Sequence, residues 1–174
     1  ASASVSFDVI TTAPAINLQF PLNNSYLNYT QNVYFNYSVA SGIGISSCYL
    51  YGDFNGVWSV NKTNSSLSTG NNFFVVNLTE GNYKWGVACN DAQNRFSQLN
   101  RTINLDVTNP SLTITEPSGT KSSQSSIPLT FNASDSSLSN CIYNITKGAS
   151  IEITNTNVSC SSSTSFSVSG DGNY

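Results

Sequence analysis

Two sets of side chains in this sequence are candidates for covalent modification: four cysteines and a series of asparagines in glycosylation motifs. Cys48, Cys89, Cys141 and Cys160 allow two disulfides in three possible connectivities, or a zinc site. Their separations of 41, 52 and 19 residues include no C-x-x-C pair, and the chain has no histidine to complete a zinc finger. We therefore expect two disulfides and no metal, which indicates an oxidising compartment.

Ten asparagines occupy N-x-S/T motifs, modestly more than a chance arrangement of the 24 asparagines would give. If Phe35, Leu78, Leu105, Phe131 and Cys141 face inward, every such asparagine on a predicted strand or at a strand end faces outward, because side chains alternate along a strand. We expect covalent N-glycans at some of these sites and no cofactor. The motif asparagines are Asn23, Asn28, Asn36, Asn61, Asn64, Asn77, Asn100, Asn132, Asn144 and Asn157.

The composition argues against an enzyme. Without histidine, the Ser-His-Asp and Cys-His arrangements of nucleophilic catalysis are absent. The nine acidic residues are dispersed, and no two of them can be nominated as a glycosidase pair. The Asp91–Asn94 segment is typical of a turn stabilised by Asx side chains rather than of a calcium loop. We expect no catalytic residues.

Charge and hydropathy exclude further classes of protein. Only 9% of the residues are charged, the net charge is -3 and the six Lys and Arg residues form no cluster, so a nucleic-acid partner is not expected. No apolar run reaches 18 residues, so no membrane span is expected. Because the chain begins at Ala1 rather than at methionine, we expect a processed or excised segment from which a leader has been removed.

The elements that position these residues are short β-strands. Apolar residues alternate with polar ones through Val33–Val39 and Tyr83–Cys89, the pattern of half-buried strands. Asn55-Gly56 predicts a type I′ hairpin. About seven short strands within one repeat of the chain have the rhythm of an immunoglobulin-like β-sandwich. The other predicted strands are Ile16–Phe20, Ser47–Tyr51, Phe73–Leu78 and Thr102–Val107.

The chain contains an internal repeat with a spacing of 96 to 98 residues. Ser6–Val9 recurs as Asn104–Val107, and Thr12–Leu18 recurs as Thr108–Ile114. One repeat corresponds to one domain. The predicted organisation is an extended donor-type strand over residues 1–13, a first immunoglobulin-like domain over 14–109 and a second, incomplete one over 110–174.

Two motifs carry a resemblance to known proteins. The Pro-x-Ile-x-Leu pattern of Pro14–Leu18 and the Tyr-x-Trp-x-Val-x-Cys pattern of Tyr83–Cys89 resemble tandem Ig-like repeats of prokaryotic, especially archaeal, cell-surface proteins and extracellular filaments. The resemblance implies an all-β fold of tandem sandwiches and an extracellular or cell-surface location. It also implies that Cys48 and Cys89 face each other across the two sheets. The second repeat departs from this scheme, because it ends at Tyr174 before the strand that would carry the counterpart of Cys89, so we expect Cys141 to pair with Cys160 in a short loop.

The second domain is expected to lack its last strands, since Tyr174 matches Tyr83 in the repeat. Such a sandwich exposes an apolar groove that another strand can fill. Residues 1–9 match residues 99–107 and therefore have the sequence of a last strand. The donor residues would be Val5, Phe7 and Val9. The acceptor core would be Leu112, Ile114, Leu129, Phe131, Phe166 and Val168.

These patterns predict a structural subunit of an extracellular, glycosylated filament, assembled head-to-tail by β-strand complementation into a helical or linear homopolymer. The partners are then the protein itself and glycans.

The alternative is an adhesin or surface-layer stalk fragment whose missing strands come from the same polypeptide. Its carbohydrate- or cell-binding surface would use the outward aromatic residues Tyr34, Tyr49, Tyr51 and Phe73, with Trp58 near the hairpin. In the filament, which we favour, the same residues would anchor neighbouring subunits or pack against the protein's own glycans. One donated strand leaves the counterpart of residues 84–98 unfilled, so either a second segment or a chain continuing past Tyr174 is required.

Overall fold

The computed structural model describes residues 4–6, 9, 11–68 and 70–174, and every regular element in these ranges is a β-strand. The predicted all-β fold is confirmed. The chain divides into two compact units, Ala1–Val107 (unit 1) and Thr108–Tyr174 (unit 2), close to the division after residue 109 that the repeat predicts. Within the described ranges, no helix is long and apolar enough to cross a membrane.

Unit 1 is a β-sandwich of eight strands. One sheet has the order β1-β3-β6 and the other the order β2-β8-β7-β4-β5, with β2 parallel to β8 and all other pairs antiparallel. This division of strands between two sheets is that of an immunoglobulin-like sandwich. The strands are β1 (Ala15–Phe20), β2 (Ser25–Leu27), β3 (Val33–Ala40), β4 (Ile45–Gly52), β5 (Ser59–Asn64), β6 (Asn71–Val76), β7 (Gly81–Asp91) and β8 (Phe96–Leu105).

The core of unit 1 is formed by the inward side chains of both sheets. Val33, Phe35 and Tyr37 of β3 are fully buried, and Phe35 packs edge-on against Trp85 of β7 with ring centroids 4.9 Å apart. The alternation in the sequence therefore identifies the buried face correctly. No such alternation marks β5, whose residues, apart from Val60, are polar and which is mostly exposed along the sheet edge.

The disulfide of unit 1 lies within one sheet. Cys48 of β4 and Cys89 of β7 are directly opposite each other on adjacent strands, both fully buried, with Cα atoms 4.1 Å apart. The expectation of a bond across the two sheets was wrong, because β4 and β7 are neighbours in the five-stranded sheet.

The turn between β4 and β5 is longer than the sequence predicts. Residues 53–58 connect the strands, and the Gly56 N–H donates to the Asp53 carbonyl at 2.7 Å. Of the Asn55-Gly56 pair only Gly56 has a positive φ, so the type I′ prediction was wrong. Phe54 explains the difference: its ring packs 5.6 Å from that of Phe35 in the core, and a Cβ at Gly52 would collide with it.

The β7–β8 connection is held by a buried carboxylate, as the Asx-turn prediction requires. Asp91 is fully buried, and its Oδ1 accepts the N–H groups of Gln93 at 2.9 Å and Arg95 at 3.0 Å. Its Oδ2 accepts the Arg95 Nε–H at 2.8 Å. Burial by itself would raise the pKa of Asp91, but the donors from Arg95 and Gln93 together lower this pKa below its ordinary value.

Unit 2 consists of five strands in two small sheets. One sheet has the order β13-β10-β9 and the other is the β11–β12 hairpin. Its core is small: Ile127, Leu129 and Phe166 are buried. A disulfide joins Cys141, the first residue of β11, to Cys160 beyond the end of β12. The strands are β9 (Ser111–Glu116), β10 (Ile127–Ser134), β11 (Cys141–Lys147), β12 (Ser150–Val158) and β13 (Thr164–Phe166).

We predict that replacing both Cys48 and Cys89 with alanine lowers the free energy of unfolding of unit 1 by about 4 kcal/mol, mainly because the unfolded chain gains conformational entropy. Both tryptophans belong to unit 1, so chemical denaturation followed by tryptophan fluorescence reports this unit alone. The matched control replaces Cys141 and Cys160. If that change shifts the fluorescence transition as much as the first, the assignment of the stabilisation to the β4–β7 bond is wrong.

The Asp91→Asn variant should be less stable than the native chain at neutral pH. A carboxylate with a lowered folded pKa stabilises above its unfolded pKa of about 3.9, and this contribution is lost as the pH falls through the folded pKa. The melting temperatures of the two proteins, recorded by tryptophan fluorescence from pH 7 to pH 2, should therefore converge on acidification. Asp171→Asn in unit 2 is the control. A constant difference across the pH range would contradict a stabilising charge at Asp91.

Candidate functional site

An apolar groove of about 250 Å³ lies in unit 2, between the sheet that contains β9 and β10 and the β11–β12 hairpin. Leu112 and Ile114 of β9 and Leu129 and Phe131 of β10 form one wall, and the opposite wall includes Tyr143 of β11. Aliphatic and aromatic side chains thus dominate the lining, which suits an apolar partner.

The groove is bordered by strand edges that have no partner among the described strands. In unit 1, β4 pairs with β5 on one side and with β7 on the other. Its counterpart in unit 2, β11, pairs only with β12 among the described strands, and β9 lies at an edge of its sheet. Unpaired strand edges beside an apolar surface are sites where a further strand adds.

Comparing equivalent positions of the two repeats shows how much apolar surface of β9 is left uncovered. Ile16 and Leu18 of β1 correspond to Leu112 and Ile114 of β9, each 96 residues further along. β1 contacts β7 and β8, and Leu18 is 4% exposed, whereas Leu112 is 62% and Ile114 58% exposed. The same positions are therefore covered in unit 1 and bare in unit 2.

Four of the six predicted acceptor residues line the groove, namely Leu112, Ile114, Leu129 and Phe131. The other two lie elsewhere: Phe166 is buried opposite Ile127 in the β10–β13 pair, and Val168 packs against this core. β11 and β12 also contribute to the groove, and none of the predicted acceptor residues lies on them. The alternation within Cys141–Lys147 was the signal that could have revealed this contribution. The additional lining residues include Leu138, Ile142, Tyr143 and Val158.

The predicted donor residues are solvent-exposed where the structure describes them. Val5 is 89% and Val9 72% exposed, and neither belongs to a strand. Phe7 lies outside the described residues. In the repeat, Val5 and Phe7 correspond to Ile103 and Leu105 of β8, which are 2% and 1% exposed.

The glycosylation-motif asparagines are accessible. Eight of the ten are exposed, and Asn36 and Asn64 are half-buried. The Oδ1 atoms of Asn23, Asn77 and Asn144 accept backbone N–H groups at 2.5 to 2.9 Å. These bonds orient each side-chain amide, and among the described residues no partner is recorded for its Nδ2, the atom that carries an N-linked sugar.

The outward aromatic residues do not form one platform. Tyr34 of β3 lies against Phe73 of β6 on one sheet, with ring centroids 5.6 Å apart. Tyr51 of β4 stacks on Trp58 beside the other sheet at 5.8 Å, and Tyr49 also belongs to β4. The five aromatic residues that the sequence singles out are therefore divided between the outer faces of two sheets.

No protein-family model and no curated protein matches the chain. Among solved structures, the chain is similar to the fibronectin(III)-like modules of CbhA from Clostridium thermocellum, with 12% sequence identity and a TM-score of 0.48. The similarity covers 87% of this chain and 74% of that chain. The assignment of unit 1 as an immunoglobulin-like sandwich depends on its strand order and core rather than on this likeness.

We predict that protein from its native source carries N-glycans at most of the eight exposed motif asparagines and at lower occupancy at Asn36 and Asn64. Asn36 lies on the central strand of its sheet, between Phe20 and Phe73, where a bulky group has least room. Mass spectrometry of glycopeptides measures the occupancy of each site. Asn17, exposed but outside any motif, is the internal control. Unmodified asparagine at all ten sites would contradict the prediction.

Proposed function

We propose that the protein is the structural subunit of an extracellular, glycosylated filament, in which the N-terminal segment of one copy fills the groove in unit 2 of the next. The observation that carries this proposal is the bare pair Leu112 and Ile114, whose counterparts in unit 1 are covered by that unit's own last strands. Covering an apolar face of this kind is the main gain of strand addition.

The N-terminal segment fits the groove in sequence pattern. Val5, Phe7 and Val9 repeat the apolar alternation of β8, in which Ile103 and Leu105 are buried. Added as a strand, the segment directs these three side chains to one face and offers its backbone to a free edge, either that of β9 or that of β11. Main-chain bonds then supply affinity, and the alternating side chains fix the register.

The placement of donor and acceptor leads to a polymer. The donor segment belongs to unit 1 and the groove to unit 2, so the two surfaces that meet are different. Such a heterologous contact leaves a free donor at one end of every assembly and a free groove at the other. It therefore grows into a filament unless its rotation closes a ring.

The chemistry of the chain suits an extracellular setting. Two disulfides are typical of proteins from oxidising compartments. With only 9% charged residues, the surface depends on amides, hydroxyls and attached sugars for its solubility. Glycans at the exposed asparagines would also keep the outer faces of the strands from pairing or packing indiscriminately.

We expect the Phe7→Asp variant to lose filament formation, because a carboxylate placed in an apolar groove has no partner there. The concentration required for assembly should rise roughly 100-fold or more. Electron microscopy and size-exclusion chromatography of the 174-residue chain measure this. The matched control is Ser6→Asp, which adds the same charge on the opposite face of the segment and should still assemble.

A charge placed in the groove tests the acceptor. Leu112→Asp should block assembly as well, whereas Thr113→Asp on the other face of β9 should not. Mixing the two blocked variants distinguishes donor from acceptor, since a Phe7→Asp copy still has a native groove and a Leu112→Asp copy a native donor. The mixture should form pairs and no filaments. A native chain that is monomeric at all concentrations would overturn the proposal and favour a stalk whose groove is covered by further strands of its own polypeptide.

A further inference from the structure

A second groove, of about 540 Å³, lies in unit 1 on the outer face of the five-stranded sheet. The polar share of its lining is larger than that of the groove in unit 2. The lining combines three asparagine amides, a threonine hydroxyl and two tyrosine side chains with the apolar Ile103, and it includes Asp53 from the β4–β5 turn. A concave site of this volume is within the usual size range for small ligands.

Three lining side chains form a row across the sheet. Tyr26 of β2 is the register partner of Asn104 on β8, and Asn104 is the register partner of Asn82 on β7. With neighbouring strands about 4.8 Å apart, the row spans about 10 Å. Within the described part of the chain, the side-chain amides of Asn82 and Asn104 form no hydrogen bond, and Tyr26 is 67% exposed.

The rest of the lining is held in place by the fold. Asp53 Oδ1 accepts the Lys84 N–H at 2.8 Å, and the Lys84 ammonium lies 5.0 Å from the centre of the Trp58 ring. The Thr102 hydroxyl donates to the Asn24 side chain. Side chains fixed in this way lose little freedom when a ligand arrives.

The lining selects one class of ligand. It contains one carboxylate and one ammonium, so it offers no net charge to a phosphate chain or an acidic polymer. Its apolar side chains are two tyrosines and Ile103, and they alternate with polar groups, which suits an amphipathic ligand better than a lipid chain. Three asparagine amides supply paired donors and acceptors, and the Tyr26 ring supplies a flat apolar surface. A ligand with many hydroxyls and an apolar ring face satisfies both features.

From this geometry we propose that the groove binds a neutral oligosaccharide. The Asn82 and Asn104 amides bond to adjacent sugar hydroxyls, the ring of Tyr26 packs against a sugar face, and Asp53 accepts a further hydroxyl. This site belongs to unit 1 and is independent of the strand-addition proposal for unit 2.

The oligosaccharide can come from two sources. Asn23, a glycosylation-motif asparagine, adjoins the groove, and its Oδ1 accepts the N–H of the lining residue Thr102 at 2.9 Å. A sugar chain attached there would begin beside the lining residues and could occupy the groove from within. Otherwise the ligand is an external polysaccharide. The Ser25→Ala change separates the two sources, because it removes the motif while leaving the Asn23 side chain in place.

The test is isothermal titration calorimetry of the natively produced chain and its Ser25→Ala variant with mannopentaose, cellopentaose and maltopentaose. We expect at least one probe to bind the Ser25→Ala chain. Adding Asn82→Ala or Tyr26→Ala should weaken that binding at least tenfold, since each removes a direct contact. Asn17→Ala, an exposed asparagine on the other sheet, is the matched control and should have no effect.

Binding only after Ser25→Ala identifies the chain's own glycan as the occupant, whereas equal binding by both proteins identifies an external saccharide. Failure of all three probes to bind the Ser25→Ala chain would overturn the proposal, as would binding that Asn82→Ala and Tyr26→Ala leave unchanged. Neither result would bear on the groove in unit 2, because all of its lining residues belong to unit 2.

Discussion

The central constraint on this protein is that the apolar face of each sheet must be buried against other residues. The two units differ in how far they meet it. A strand with period-two alternation directs half of its side chains to one face, and exposing that face to water forfeits the hydrophobic gain. In unit 1 the two sheets cover each other, and Leu18, Phe35 and Trp85 are buried between them. In unit 2 the corresponding face of β9 is only partly covered, with Leu112 and Ile114 62% and 58% exposed, and this makes it a candidate docking site.

The two disulfides follow from the same difference. In unit 1 the bond connects β4 to β7, so it needs a strand that has no counterpart in the described part of unit 2. There Cys141 pairs instead with Cys160, only 19 residues away, across the β11–β12 hairpin. A local bond of this kind stabilises the hairpin without any strand on the other edge of β11, so that edge stays available.

Sequence patterns predicted individual strands, but they failed for features that depend on how strands distant in sequence pair with one another. The alternation in Val33–Val39 identified the buried face of β3, because burial of one face leaves every second residue apolar. The alternation in Tyr83–Cys89 identified a core strand, but the prediction of a half-buried strand was wrong there, since residues 85–89 are buried on both faces. The polar edge strand β5 leaves none. Whether Cys48 and Cys89 share a sheet depends on strand order, which no spacing records. The groove in unit 2 could be predicted from the internal repeat. The row of Tyr26, Asn104 and Asn82 could not, because it joins outward residues of three strands and polar outward residues show no periodic pattern in the sequence.

The low charge of the chain determines which forces remain for association. Six cations and nine anions in 174 residues give little long-range attraction between copies, and that little is screened at physiological salt. In the proposed filament, affinity therefore comes from apolar burial and main-chain hydrogen bonds, which ionic strength changes little. Sugars on the outer strand faces would keep such neutral surfaces apart, so that contact between copies is confined to the one face that is left uncovered.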